Sequence, residues 1–131
     1  MATITGAHHI ALTVTDVERS TQWYQELLGL QVVMQGDDDT VRFRVLAHPS
    51  GWLMGLRQYP GNESGAFDEL HTGLDHLAFT VASRAELDGC AAELADRGVT
   101  FSPVAETPIG TVIVFRDPDN IQLEFWLPAG S

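Results

Sequence analysis

The chain carries 131 residues, 44% of them hydrophobic and 19% charged, with a formal net charge of −11. That length suits one well-buried core and is too short for two ordinary domains. The acidic balance opposes the phosphate backbone, so neither nucleic acid nor an anionic membrane surface is an expected partner.

Residues 7–14 alternate as a strand. Thr15-Asp16-Val17-Glu18 then offers a side-chain cap and an acidic first turn, so a helix should begin near Asp16. Val17, Ser20, Tyr24, Leu27 and Leu28 share one side of that helix, Trp23 and Tyr24 read as packing residues, and Gly29 is the expected stop. Leu30 to Gln35 reads as a strand, and Gly36-Asp37-Asp38-Asp39 as a solvated turn. Thr40 to Ala47 and Trp52 to Gln58 are two further strands joined at His48-Pro49-Ser50-Gly51. The polar stretch 59–72 is rich in Gly, Pro, Asn and Ser and reads as a linker.

The second half repeats the order. A strand over 74–81 is followed by the capping box Ser83-Arg84-Ala85-Glu86, and Leu87, Cys90, Ala91 and Leu94 form the buried stripe of a helix ending at Gly98. Strands are expected over Val99–Ser102, Thr111–Phe115 and Ile121–Leu127, with Asp117-Pro118-Asp119-Asn120 as the turn before the last and Arg116 bracing it. The expectation is a single domain over 1–131, built of modules 6–58 and 73–127 joined by linker 59–72. Each module is too small to bury its own sheet face, so the two should pack into one curved sheet or cleft.

Cys90 is the only cysteine, which rules out an internal disulfide and fits a reducing compartment. Among alanines and leucines it reads as a buried, inert thiol. Met1-Ala2-Thr3-Ile4-Thr5-Gly6 lacks a basic region followed by an apolar run, and no stretch reaches the roughly 20 apolar residues of a membrane span. A cytoplasmic protein without a membrane partner is expected.

The repeat is explicit at its first strands. Gly6-Ala7-His8-His9-Ile10-Ala11-Leu12-Thr13-Val14 returns at an offset of 67 as Gly73-Leu74-Asp75-His76-Leu77-Ala78-Phe79-Thr80-Val81, with Gly, His, Ala, Thr and Val in place. Strand alternation puts His9, Ala11 and Thr13 on one face and His76, Ala78 and Thr80 on its equivalent. On the last strand Gln122, Glu124 and Trp126 share a face, and an inward carboxylate there is costly unless paired. Two histidines and one carboxylate form a ligand set for a divalent metal with positions left open for substrate. Two other arrangements satisfy the same residues: neutral, hydrogen-bonded interior histidines, and a Glu124–Arg57 pair, since Arg57 occupies the position of Trp126 in the repeat.

His9-Ile10-Ala11-Leu12-Thr13-Val14-Thr15-Asp16 running into Trp23-Tyr24 and Leu28-Gly29, Asp75-His76-Leu77-Ala78-Phe79, and Phe115-Arg116-Asp117-Pro118-Asp119-Asn120-Ile121-Gln122-Leu123-Glu124 together resemble the vicinal oxygen chelate superfamily. This is the glyoxalase/bleomycin resistance/dioxygenase group, and the likeness spans about residues 6–127. The resemblance implies an α+β fold of two tandem βαβββ modules forming a curved mixed sheet and a cleft. It implies one divalent metal ion in that cleft at His9, His76 and Glu124, often in a homodimer, and a small-molecule substrate with vicinal oxygens. Arg57, Trp126 and Gln122 would then meet the substrate. Lyase, isomerase and dioxygenase chemistry all fit, and so does the metal-free ligand sequestration of bleomycin-resistance members. Iron, manganese, zinc, nickel and cobalt all accept imidazole and carboxylate donors. Glyoxalase-type members carry a second glutamate where this chain has Gly55. Fosfomycin-resistance transferases carry a hydroxyl residue where it has Ala11.

Overall fold

Two successive runs of strand, helix and three strands make up the chain. A computed structural model describes residues 1–131 and divides into two compact units, 1–65 and 66–131. The first holds β1 (His9–Thr13), α1 (Val17–Leu28), β2 (Gln31–Asp37), β3 (Arg42–Ala47) and β4 (Leu53–Gln58). The second holds β5 (Leu77–Thr80), α2 (Arg84–Asp96), β6 (Ala105–Thr107), β7 (Gly110–Arg116) and β8 (Gln122–Pro128). Each unit forms a four-stranded mixed sheet, ordered β1-β4-β3-β2 in the first and β5-β8-β7-β6 in the second. β1 runs parallel to β4 and β5 parallel to β8, while the remaining pairs are antiparallel.

Local chemistry sets the helix that crosses each sheet. Asp16 caps α1 by accepting the Arg19 N–H at 3.0 Å, and Gln58 Oε1 takes the Val17 N–H at 2.8 Å, tying the helix start to the end of β4. Gly29 closes α1 in the left-handed region at φ 69°, which a residue without Cβ adopts at no steric cost. Val17, Tyr24 and Leu27 of α1 meet Leu12, Leu46, Met54 and Leu56 of the sheet in the first core, all of them buried. Burying each such side chain contributes about 1.5–3 kcal/mol. Arg44 is a charged side chain buried on that side, and it is satisfied by Asp37 Oδ1 at 2.7 Å and by the Phe43 carbonyl at 2.8 Å. The Arg44 guanidinium in turn holds the Asp37 carboxyl below its ordinary pKa.

In the second unit Ser83 Oγ accepts the Glu86 N–H at 3.1 Å. Glu86 reaches back to the Ala82 N–H at 2.9 Å, one residue before the cap itself. Leu87 and Leu94 are fully buried, whereas Cys90 and Ala91 are only half-buried, so the expected stripe is narrower than four residues. Burial, then Glu93 and Glu86, push the Cys90 thiol above its ordinary pKa, which disfavours the nucleophilic thiolate.

The expected strand over Val99–Ser102 is not formed. Only Phe101 bridges to Phe115, and the ladder resumes at Ala105 as β6. Pro103 lacks an N–H to continue a ladder, and Ser102 Oγ accepts the Val114 N–H at 2.9 Å in place of a backbone carbonyl. The matching strand β2 of the first unit stays continuous across a register shift between Val32 and Met34.

The 117–120 turn forms as expected. Asn120 N–H donates to the Asp117 carbonyl at 3.0 Å, and Asp117 Oδ1 accepts the N–H groups of Asp119 and Ile121. Asn120 sits at φ 69°, a conformation its short polar side chain tolerates. Arg116 donates to the Asn120 carbonyl at 3.0 Å, and the hairpin so fixed sets Glu124 opposite Val114. No helix is long and apolar enough to cross a membrane.

Candidate metal and ligand site

Strand pairing places the two repeats in equivalent registers. Ala11 pairs with Gly55 in the first sheet and Ala78 with Glu124 in the second, so Gly55 and Glu124 are structural counterparts. Thr13 pairs with Arg57 and Thr80 with Trp126, which makes Arg57 and Trp126 counterparts too. The alternating, helix-free face of each sheet carries these residues.

In the second unit Glu124 is 6% exposed, on the middle of β8. Its Oε1 accepts the Gln122 Nε2–H at 3.0 Å, and its Oε2 accepts the Trp126 Nε1–H at 2.6 Å. Oε2 also lies 3.6 Å from His76 Nε2. That gap is too long for a hydrogen bond. It lies just beyond the roughly 3.0–3.5 Å between two donors bonded at about 2.1 Å to one ion. His76 stands just before β5, and its Nδ1 lies 2.7 Å from Asp75 Oδ1. A carboxylate there favours the proton on Nδ1 and leaves Nε2, the ring nitrogen nearer Glu124, as the one able to ligate, the outer-shell arrangement that orients metal-ligating histidines. The two donors are of the types a divalent ion takes, and a small approach of the side chains would bring them to its spacing.

Sequence reasoning gave Arg116 the hairpin turn and missed Glu69 and the further link from Arg116 to this pair. Arg116 binds Glu69 through two bonds, at 3.1 and 3.2 Å, and donates to Gln122 Oε1 at 3.1 Å. Because a guanidinium only donates, it fixes the Gln122 amide with its oxygen toward Arg116 and its nitrogen toward Glu124. Glu69 is held below its ordinary pKa chiefly by that Arg116 bond. The adjacency of Asp75 to His76 was a visible signal; the Glu69–Arg116–Gln122 link, spanning 47 residues, had none.

In the first unit His9 is exposed at the start of β1, with its Nδ1 2.8 Å from His8 Nδ1. Arg57 donates Nε–H to the Tyr59 hydroxyl at 2.8 Å, and its guanidinium carbon lies 5.6 Å from the Phe43 ring centre and 5.7 Å from that of Tyr59. Phe43 pairs with Arg57 across β3 and β4. Structure thus joins Gln122, Glu124, Trp126 and His76 in one cluster, and sets His9 and Arg57 on the other unit's sheet. No group of three or more His, Cys, Asp or Glu side chains gathers into a metal-holding cluster. His48 stacks on Trp52 with ring centres 5.1 Å apart, and His71 closes a turn, its N–H donating to Asp68.

The family model described as Glyoxalase/Bleomycin resistance protein/Dioxygenase superfamily matches residues 6–125. A crystal structure of a glyoxylase/bleomycin resistance protein/dioxygenase domain from Frankia sp. EAN1pec is 40% identical, with a TM-score of 0.91, covering 96% of this chain and 99% of that one. The protein YwkD of Bacillus subtilis (strain 168) is 30% identical over 123 residues, which are 91% of this chain and 94% of YwkD. The fosfomycin resistance protein FosX of Listeria monocytogenes, solved with manganese(II) and sulfate, shares the fold. Its TM-score is 0.76 at 20% identity, over 98% of this chain and 94% of FosX.

Proposed function

Because the chain belongs to the glyoxalase/bleomycin resistance protein/dioxygenase superfamily, we propose that it is a divalent-metal-dependent enzyme acting on a small molecule with two vicinal oxygens. The observation that carries this reading is the buried Glu124 carboxylate facing His76 Nε2 across 3.6 Å, with no lysine or arginine of its own unit paired to it. His76, Glu124 and His9 would hold the ion. We assign His9 to a second copy of the chain in a homodimer. In support, β2 is an edge strand in its own sheet, with Val33 and Met34 60% and 56% exposed. FosX, which shares the fold, was solved with manganese(II).

When bound, the ion supplies Lewis-acid polarisation of the vicinal oxygens and stabilises negative charge developing there. The chain's own residues do the rest. Asp75 holds the His76 tautomer, and Gln122 and Trp126 hold Glu124 while presenting their own edges to the substrate. Gly55, counterpart of Glu124, places no side chain at the site and leaves room for a chelating ligand. Arg57 grips the substrate's anionic end. Lyase, isomerase and dioxygenase reactions all begin from this arrangement.

Catechol binding tests the reading. Manganese(II)-loaded protein is expected to bind catechol, and EDTA-stripped protein is not. Acidification should weaken the loaded complex, because protons compete for the imidazole donors. Equal catechol affinity with and without metal would instead identify a metal-free ligand-binding protein.

A further inference from the structure

We propose that Arg57, Phe43 and Tyr59 form a carboxylate-binding site on the open face of the first sheet. Its ligand is a flat acid whose carboxylate is separate from the two vicinal oxygens. The placement of those oxygens rests on the metal-dependent reading; the carboxylate site does not.

The cationic side chains of this chain are seven arginines, and there are no lysines. Arg42, Arg44, Arg84, Arg97 and Arg116 each lie within ion-pair distance of a carboxylate. Arg57 instead bonds a neutral phenol, through Nε, at 2.8 Å. The Asp38 carboxylate feels the Arg57 charge without bonding it, so the guanidinium keeps donors for an outside anion. The rings of Phe43 and Tyr59 fix its plane, so the ordering cost of binding is largely met before a ligand arrives. With Nε committed to Tyr59, the end-on pair of terminal nitrogens is left to the ligand. Two parallel N–H donors match a planar carboxylate.

The neighbouring surface sets the rest of the ligand. Arg57 stands opposite Thr13, and His9 opposite Leu53, and of the three pairs between those rungs only Ala11–Gly55 shares their face. A Cβ at Gly55 would lie 3.1 Å from Ala11 Cβ, so this floor is low and closely packed. Each step from Arg57 to Gly55 and from Gly55 to Leu53 covers about 7 Å of strand. A carboxylate at Arg57 is therefore too far from the His9 end to be one of the chelating oxygens, and a single aromatic ring over Gly55 bridges the gap.

Nuclear magnetic resonance titration of EDTA-treated protein with sodium benzoate and with benzamide, its neutral counterpart, tests the site without metal. Benzoate should bind about 10-fold tighter or more, the scale of a charge-assisted bidentate contact. Arg57→Gln should erase that preference and Arg57→Lys should restore only part of it, both with an unchanged thermal melt. Tyr59→Phe should weaken it as a second, conservative probe. Equal affinity for the two ligands, or a preference that survives Arg57→Gln, overturns the site. On manganese(II)-loaded protein 3,4-dihydroxybenzoate should exceed catechol by a similar factor that Arg57→Gln removes; no such advantage overturns the separate-carboxylate ligand. If catechol fails to bind while the benzoate preference holds, the metal-dependent reading falls and the carboxylate site stands.

Discussion

Glu124→Gln is expected to lower manganese(II) affinity by about 100-fold or more, beyond the usual 10–100-fold effect of an outer-shell change. The amide keeps the carboxylate's shape but not its charge, and one of its two heteroatoms becomes a donor. Trp126 Nε1–H still needs an acceptor, so the amide oxygen stays on the side that the carboxylate now offers at 2.6 Å. The new NH₂ then faces the Gln122 Nε2 donor, whose orientation Arg116 fixes. One hydrogen bond is lost, a cost of about 1 kcal/mol and a few degrees in Tm. Calorimetric titration and a thermal melt separate the two effects. A variant that keeps wild-type affinity removes Glu124 from the ligand set.

Mixing two dead variants should revive metal binding. If His9 of one chain joins His76 and Glu124 of the other, His9→Ala and Glu124→Ala homodimers each lack every complete site. After subunit exchange, each hybrid dimer regains one complete site and carries one doubly broken one. Random reassortment restores roughly a quarter of all sites in such a twofold dimer. Light scattering reports the dimer and metal analysis the recovered occupancy. No recovery, with hybrids formed, would confine all three ligands to one chain.

Much of the fold was legible because local chemistry and periodicity agreed. Asp16, Gly29 and Ser83 punctuate the helices where their side chains or backbone freedom demand. The repeated His-x-Ala-x-Thr strands land in matching registers beside Gly55 and Glu124. What failed was a segment where a side chain competes with the ladder: Ser102 accepts a bond that a backbone carbonyl would otherwise take, and Pro103 interrupts the run. Periodicity carries no trace of that competition. In the site, alternation was enough to put Gln122, Glu124 and Trp126 together. It did not reveal that Trp126 and Gln122 bond the carboxylate itself, nor that Glu69 reaches across 47 residues to Arg116. Such contacts depend on long side chains meeting through space, and no spacing rule encodes them. Likewise Arg57 was legible as a cation on the right face, whereas the Phe43 and Tyr59 rings that orient it come from a neighbouring strand and from the residue after β4.

Direct titration of tag-free, EDTA-treated protein with manganese(II) bears most directly on the proposed metal-dependent function. One ion per chain should bind saturably, and His76→Ala, which removes the nitrogen facing Glu124, should abolish that binding while the protein stays folded. Absence of saturable binding in the wild type, or full occupancy in His76→Ala, would contradict it.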